Sequence, residues 1–147
     1  PGEVDTVCIA GMGGVLMSEI LTAEPDVLAG VDALVLQPMN GAMELRSWLY
    51  AHHWYIADEA LALADGRIYE VISARRGRRK MPEPLFLEIG PVLWQKKPEL
   101  LRHHIESLLF QKKRAAAGMG KSETAKKSRK YQSLLREVKE LEEKLKW

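Results

Sequence analysis

Three glycines interrupt the apolar segment VCIAGMGGVLMSEIL, residues 7–21, where a β-rich run gives way to a helical pattern. A glycine-rich turn between a strand and a helix can present backbone N–H groups to an anionic ligand. The same glycines can instead let the helix pack closely on the sheet. GMGG lacks the lysine of a phosphate-binding P-loop. Asp32 begins the next strand, whereas a dinucleotide-binding fold needs an acid at its end. The pattern therefore leaves ligand contact and close packing both open.

Polar residues follow the next apolar run, as Gln37-Pro38-Met39-Asn40. In open α/β sheets ligands bind at the carboxyl ends of the strands, so this segment and the glycines are expected at one edge. Amide side chains there can hydrogen-bond to the edge of a base. The alternative is an ordinary turn in which Asn40-Gly41 supplies the turn residues.

Two clusters of basic residues indicate an anionic partner. The first consists of Arg75, Arg76, Arg78, Arg79 and Lys80. The second lies in residues 111–130 and consists of Lys112, Lys113, Arg114, Lys121, Lys126, Lys127, Arg129 and Lys130, with one acidic residue. Each cluster alone is typical of a solvated charge run. Together they favour binding to a phosphate backbone.

The other ionisable residues predict no catalytic triad and no metal site. His52-His53 and His103-His104 are adjacent pairs, and neighbours on a helix do not share a face. Glu59 and Glu70 lie inside strand-like runs. Each is interpreted as a partner for an arginine rather than as a catalytic acid.

The order of the apolar patterns in residues 1–97 predicts an α/β sheet. Residues 4–10 and 32–38 have the composition of strands buried on both faces, as in a parallel sheet. A helix follows each of them. The first of these helices is expected to bury a face of Val15, Leu16, Ile20 and Leu21. Residues 54–65 and 66–77 then predict an antiparallel pair joined at Asp65-Gly66, a strong hairpin signal.

Residues 98–147 predict a helical hairpin. Pro98 is a suitable first-turn residue, and Ser122 is a suitable N-cap for a second helix. The second helix has apolar residues at alternating spacings of three and four, which predicts a coiled-coil seam formed by Tyr131, Leu134, Val138, Leu141 and Leu145. We therefore expect a domain over residues 1–97 and a second over residues 98–147.

Composition places the chain among globular proteins. It has 147 residues, of which 46% are hydrophobic and 29% charged, with a net charge of +2. Residues 1–97 have a net charge of −4 and residues 98–147 one of +6. The single cysteine, Cys8, predicts a reducing, cytoplasmic location. No apolar run approaches the ~20 residues that span a bilayer.

The ordered set DTVCIAGMGG, LVLQPMN, ELRSWL, IADEAL and GRIYEVISA, followed by a Gly-Pro loop and a basic helical hairpin, resembles the bacterial tRNA (adenine-22-N1)-methyltransferase family. The resemblance runs from about residue 4 to the C-terminus. It implies a class I, Rossmann-like enzyme that uses S-adenosylmethionine to methylate N1 of an adenine in tRNA. It also implies a C-terminal coiled-coil domain that helps to hold the tRNA.

The resemblance assigns roles to individual residues. Ala10, Gly11, Met12, Gly13 and Gly14 would border the transferred methyl group and the target base. Gln37, Pro38 and Asn40 would line the neighbouring edge with Arg46 nearby, and the basic clusters would bind RNA.

The chain is expected to begin at the family's fourth strand. It would then contain the C-terminal half of the methyltransferase sheet, without the strands that grip the cofactor. Its exposed sheet edge would favour a homo-oligomer. Two other functions stay open, a non-catalytic RNA-binding or assembly fragment and a coiled-coil dimerisation module whose basic runs are merely solvated.

Overall fold

A four-stranded mixed sheet organises the first part of the chain in the computed structural model, which describes residues 2–147. The strands are β1 (Thr6–Met12), β2 (Ala33–Pro38), β3 (Trp54–Ala64) and β4 (Arg67–Arg76), in the spatial order β1-β2-β4-β3. β1 is parallel to β2, whereas β4 is antiparallel to both β2 and β3. The predicted α/β fold, with parallel strands followed by an antiparallel hairpin, is confirmed.

The helices fall into two groups. In the first unit, which extends to Leu100, they are α1 (Gly14–Ala23), α2 (Pro25–Leu28), α3 (Ala42–Ala51), α4 (Pro84–Ile89) and α5 (Pro91–Lys96). In the second unit, Leu101–Trp147, they are α6 (Leu101–Met119), α7 (Glu123–Lys126) and α8 (Arg129–Lys144). The division lies three residues beyond the predicted domain boundary. That these units are separate domains stays a prediction.

One face of the sheet forms the core of the first unit. Leu34, Leu36 and Ile72 are completely buried on the sheet and pack in one cluster with residues of α1 and α3, namely Met17, Leu21, Leu45 and Leu49. Burying a side chain of this size stabilises the fold by about 1.5–3 kcal/mol. This cluster therefore holds β2, and with it the loop that follows β2, in a fixed position.

Two predictions about buried faces are wrong. Val15, Leu16 and Ile20 are 40–49% exposed, and α1 buries Gly14, Met17 and Leu21 instead. The helix is apolar on several sides, so periodicity alone does not select the inner one. β1 is an edge strand of the described sheet rather than a strand buried on both faces, and Cys8 is exposed.

The β3–β4 hairpin turns where the sequence predicts. Asp65 and Gly66 both have positive φ, 51° and 75°, as the tight two-residue turn between antiparallel strands requires. Ladder pairing runs from Ala64↔Arg67 to Trp54↔Arg76, with an irregularity between Ile56 and Asp58. The hairpin is therefore a long two-stranded arm.

In the second unit α6 and α8 lie side by side and run antiparallel. Arg102 near the start of α6 donates to the Leu145 carbonyl just after α8 at 3.0 Å, and Lys112 further along α6 pairs with Glu137. Residues later in α6 therefore face earlier parts of α8. The seam residue Leu141 is buried. Supercoiling of the pair stays a prediction.

The helix starts in this unit differ from the predicted ones. α6 begins at Leu101 rather than at Pro98. Ser122 does act as an N-cap, but of the four-residue α7, and Ser128 caps α8 by accepting a hydrogen bond from the Tyr131 N–H at 3.1 Å.

Candidate functional site

The carboxyl ends of β1 and β2 meet at one edge of the sheet, and their loops are hydrogen-bonded to each other. The Met39 N–H donates to the Met12 carbonyl at 2.8 Å, and the Gly14 N–H donates to the Asn40 carbonyl at 2.7 Å. The glycine segment and the Gln37–Asn40 segment therefore form one structure, here called the strand-end site. The predicted convergence of these two segments is present.

Gly13 and Gly14 are needed for close packing between the two loops. A Cβ atom on Gly14 would lie 2.2 Å from the Gly41 carbonyl oxygen, and one on Gly13 would lie 2.8 Å from Asn40 Oδ1. Gly41 has a φ of 64°, which favours glycine. Close packing, which the sequence left open, thus accounts for two of the three glycines.

Gly11 has a different role. It lies at an irregularity in the β1–β2 ladder between Ala10 and Met12, with a φ of 75°. Its N–H donates to Gln37 Oε1 at 3.0 Å, and a Cβ atom there would meet nothing within 4 Å. Gly11 therefore bends the strand end toward open space, where a ligand can approach.

The predicted site residues separate into exposed and buried ones. Ala10, Gly11, Met12 and Asn40 are exposed, and Gly13 and Gln37 are half-buried. Gly14 and Pro38 are buried and shape the site from below, and Arg46 is completely buried. Arg46 has no exposed surface with which to contact a substrate, and therefore it does not belong to the binding surface.

Arg46 instead forms a buried ion-pair network with two acids. Its Nε donates to Glu59 Oε1 at 2.7 Å, and its Nη2 donates to Glu70 Oε1 at 2.7 Å. Burial pulls the pKa of the guanidinium down, but Glu70 and Glu59 outweigh burial and raise this pKa above its usual value. Arg46 is therefore a permanent cation, and the interpretation of Glu59 and Glu70 as partners of an arginine is confirmed.

The network also joins α3 to the α4–α5 junction. Arg46 Nη1 donates to the carbonyls of Leu87 and Glu88 at 2.9 and 3.2 Å. Glu59 Oε2 accepts from the N–H groups of Val92 and Leu93 at 2.9 and 3.1 Å. These bonds provide partners for backbone carbonyls at the end of α4 and for backbone N–H groups at the start of α5. Because α3 begins two residues after Asn40, the network also fixes the helix that supports the strand-end site.

The β3–β4 arm extends past β2 at this edge, which the sequence analysis did not predict. β2 pairs with β4 only as far as Leu36↔Ile72, whereas β3 and β4 stay paired to Ala64↔Arg67. Leu63 on the arm is 51% exposed, and Leu61 and Tyr69 are half-buried. The sequence contained a signal for this extension, because the two strand-like runs of the hairpin are much longer than the apolar run of β2.

The first basic cluster lies at the opposite end of the sheet. Arg75 pairs with Ala33, the first residue of β2. Arg76 donates to the carbonyls of Val31 and Leu28 and stacks over Trp54 at 4.4 Å, and Arg79 stacks over Tyr55 at 4.1 Å. Arg78 and Lys80 are exposed. Part of this cluster therefore holds the fold together.

The second basic cluster contains both paired and unpaired cations. Lys112, Lys113 and Lys126 form ion pairs with Glu137, Glu142 and Glu123. Within residues 2–147, the cations that are exposed and form no ion pair in this cluster are Arg114, Lys121, Lys127, Arg129 and Lys130. These five side chains are available to an anionic partner.

Two further classes of site are not found in the described part of the chain. No group of three or more His, Cys, Asp or Glu side chains is placed to hold a metal ion. No described helix combines the length and the apolar character needed to cross a membrane.

Comparison with known proteins identifies relatives of this chain. A family model described as tRNA (adenine(22)-N(1))-methyltransferase matches residues 1–143. The tRNA (adenine(22)-N(1))-methyltransferase of Bacillus subtilis (strain 168) is 45% identical over 78 residues, which are 53% of this chain and 33% of that protein. The chain thus spans about a third of the length of this curated relative.

Solved structures give the same result. The B. subtilis M1A22 tRNA methyltransferase superposes with a TM-score of 0.84 at 30% identity, covering 98% of this chain and 64% of that one. A proposed tRNA (m1A22) methyltransferase of Streptococcus pneumoniae, in complex with S-adenosyl-L-methionine, superposes with a TM-score of 0.81 at 26% identity over 97% of this chain and 61% of that one. Since the family model matches nearly the whole chain, the chain belongs to the tRNA (adenine(22)-N(1))-methyltransferase family.

Proposed function

We propose that this chain is part of an enzyme that methylates N1 of an adenine in tRNA with S-adenosylmethionine as the methyl donor. The match of the family model to residues 1–143 is the observation that carries the proposal. The cofactor is supported by the Streptococcus pneumoniae relative, whose structure contains S-adenosyl-L-methionine.

The geometry of the strand-end site fits this cofactor and a flat base. Gly11 faces open space, and neither Ala10 nor Gly11 adds bulk over the edge. Met12 and Met39 are 38% and 40% exposed, so each can cover a bound ring and exclude water. S-adenosylmethionine, when bound, supplies a methyl group on a sulfonium sulfur.

The residues at this site act mainly by positioning. N1 of neutral adenine carries a free lone pair, so it needs no base before it attacks. The exposed part of the site accordingly has no ionisable side chain among residues 10–14 and 37–40. Ala10, Gly11, Met12 and Gly13 border the reacting atoms, and Gln37 and Asn40 orient the base. The adenine reaches them only after it leaves its stack in the RNA. Gly14 and Pro38 are buried and support the two loops that carry these residues.

The basic residues bind the phosphate backbone of the tRNA. In the second unit the residues proposed for this role are Arg114, Lys121, Lys127, Arg129 and Lys130. In the first unit they are Arg75, Arg78 and Lys80. The α6–α8 pair then acts as a coiled-coil domain that holds the tRNA. Arg76 and Arg79 contribute less, because their guanidinium groups stack on Trp54 and Tyr55.

A methyl-transfer assay tests the proposal. The product of the complete reading frame that contains this chain is expected to transfer a labelled methyl group to N1 of adenine in a tRNA transcript. Its affinity for that transcript is expected to fall steeply between 50 and 200 mM salt, by about 10³-fold if six phosphates are contacted. Salt-dependent binding without methyl transfer would instead identify a non-catalytic RNA-binding protein. If the protein neither binds the tRNA transcript nor methylates it, the proposal is contradicted.

One observation favours self-assembly as an additional property of the isolated chain. Val15, Leu16 and Ile20 are exposed on α1, and β1 has an unpaired edge in the described sheet. Such an edge is a template for pairing with another chain. In light scattering at micromolar concentration, the 147-residue chain is expected to be a dimer or larger. A monodisperse monomer would contradict this expectation.

A further inference from the structure

The outer face of α6 carries a row of residues that does not serve the core of the second unit. His103, Ser107, Phe110 and Arg114 follow one another at helical spacings of four, three and four. The opposite side of α6 carries the buried residues Leu101, Ile105, Leu109 and Ala116. In this row, here called the outer row, His103, Phe110 and Arg114 are exposed and Ser107 is half-buried.

Phe110 is the feature of the outer row that requires an explanation. Its side chain is 66% exposed, the highest value among the large hydrophobic residues of the described chain. It borders an open groove of about 410 Å³ lined by His103, Glu106, Ser107, Phe110 and Gln111. Binding sites for small molecules have volumes of about 300–1,000 Å³. The groove thus offers one aromatic face beside three groups that can hydrogen-bond, on His103, Ser107 and Gln111, and one carboxylate, on Glu106.

The charge around the outer row selects the class of ligand. The second unit contains 13 Lys and Arg residues and six Asp and Glu residues. Arg114 lies one turn beyond Phe110, is exposed and forms no ion pair within residues 2–147. The unpaired cations from Lys121 to Lys130 follow along the chain. An aromatic face next to such cations is the arrangement that binds single-stranded nucleic acid, with bases stacked and phosphates paired.

We infer that the outer row docks a single-stranded segment of RNA, with an unpaired base stacked on Phe110 and a backbone phosphate bound by Arg114. His103, Ser107 and Gln111 then hydrogen-bond to the edge of that base. The inference rests on the proposed function, because it takes the RNA substrate as the ligand, and it adds a specific contact outside the strand-end site. A second copy of the chain fits less well, because the second unit carries 13 Lys and Arg residues against six Asp and Glu residues and two such units repel each other.

The test measures RNA binding to the 147-residue chain by fluorescence anisotropy, with a tRNA transcript and a short single-stranded RNA that contains 2-aminopurine. Phe110→Ala is expected to weaken binding of both by about tenfold, because one base–aromatic stack is lost. Phe110→Trp should restore the affinity, whereas Phe110→Leu, which is apolar but not aromatic, should not. Stacking should quench 2-aminopurine with wild type and Phe110→Trp only.

Two controls separate this contact from general effects. Leu135→Ala removes a different exposed apolar side chain, which is 36% exposed on α8, and should leave RNA affinity unchanged. Arg114→Gln should lower the salt dependence of binding by about one phosphate contact. Circular dichroism of each variant confirms that the helices remain folded.

The outcomes distinguish failure of this inference from failure of the proposed function. If the wild-type chain binds tRNA and Phe110→Ala binds equally well, the outer row is not an RNA site, and the proposed function stands. If neither the wild-type chain nor any variant binds RNA, the inference is overturned, whereas the proposed function is decided separately by methyl transfer with the complete enzyme. Analytical ultracentrifugation of the same variants tests self-association. If Phe110→Ala lowers the sedimentation coefficient and leaves RNA affinity unchanged, the outer row is a contact between copies of this chain and the inference is overturned.

Discussion

Arg46→Met is expected to lower the free energy of unfolding of the first unit by about 3–5 kcal/mol, because it leaves two acids without their cation. Glu59 is completely buried and the side chain of Glu70 is 17% exposed, so water cannot replace the lost partner at Glu59. The carbonyls of Leu87 and Glu88 lose a donor as well. Urea unfolding followed by tryptophan fluorescence measures the loss.

Lys96→Met is the matched control for this substitution. It also removes a cation paired with an acid of β3, but the side chains of Lys96 and Asp58 are 47% and 62% exposed. An exposed pair contributes about 0–1 kcal/mol, so this variant should unfold within that range of the wild type. Equal effects of Arg46→Met and Lys96→Met would show that the buried network does not hold the unit together.

Gly14→Ala is expected to separate the two loops of the strand-end site and to abolish most of the methyl transfer. The added Cβ would lie 2.2 Å from the Gly41 carbonyl oxygen and 2.8 Å from its carbonyl carbon. Both atoms belong to the backbone, so the loops must move apart. A displacement of about 1 Å can reduce catalysis by about 100-fold, and overpacking costs about 1–3 kcal/mol of stability. Single-turnover methyl transfer by the complete enzyme and thermal unfolding measure the two effects.

Gly118→Ala is the matched control for Gly14→Ala, because the same substitution is expected to stabilise the protein at this position. Gly118 also lies in a helix, but a Cβ atom there meets nothing within 4 Å. Alanine is favoured over glycine in a helix by up to about 1 kcal/mol, so this variant should be slightly more stable than the wild type. If Gly14→Ala were stabilising too, the contact between the two loops would not require glycine.

The sequence of strands and helices along the chain and the position of the hairpin turn were predictable because local signals specify them. Asp65-Gly66 can be recognised without tertiary structure, and the β-α-β-α pattern follows from short apolar runs. The placement of β4 rather than β3 beside β2 was not predicted, because it depends on tertiary packing. The inner face of α1 was not predictable in this way. Val15, Leu16 and Ile20 are as apolar as Met17, and only the position of β2 and α3 decides which of them is buried.

The candidate site was predictable in its location but not in its chemistry. Carboxyl ends of parallel strands meet at one edge, which brings Gly11 and Gln37 together. Whether Gly14 faces a ligand or a neighbouring loop depends on a contact with Gly41, 27 positions away. The resemblance placed Arg46 near the substrate, whereas the structure buries it completely, which is unusual for an arginine unless it is paired. The available signal was the presence of Glu59 and Glu70 inside apolar strands.

The Arg46 network also constrains the order in which the chain can fold during its synthesis. Arg46 is made before every group that receives its hydrogen bonds, and the last residue of the network to be made is Leu93. At ribosomal rates of about 5–20 residues per second, the guanidinium waits a few seconds for its complete set of acceptors. During that interval, burial of α3 would place an incompletely paired Arg46 guanidinium away from water, which is unfavourable in free energy. We therefore expect the buried network, and with it the docking of α3 on the sheet, to be completed only after α4 and α5 have been synthesised.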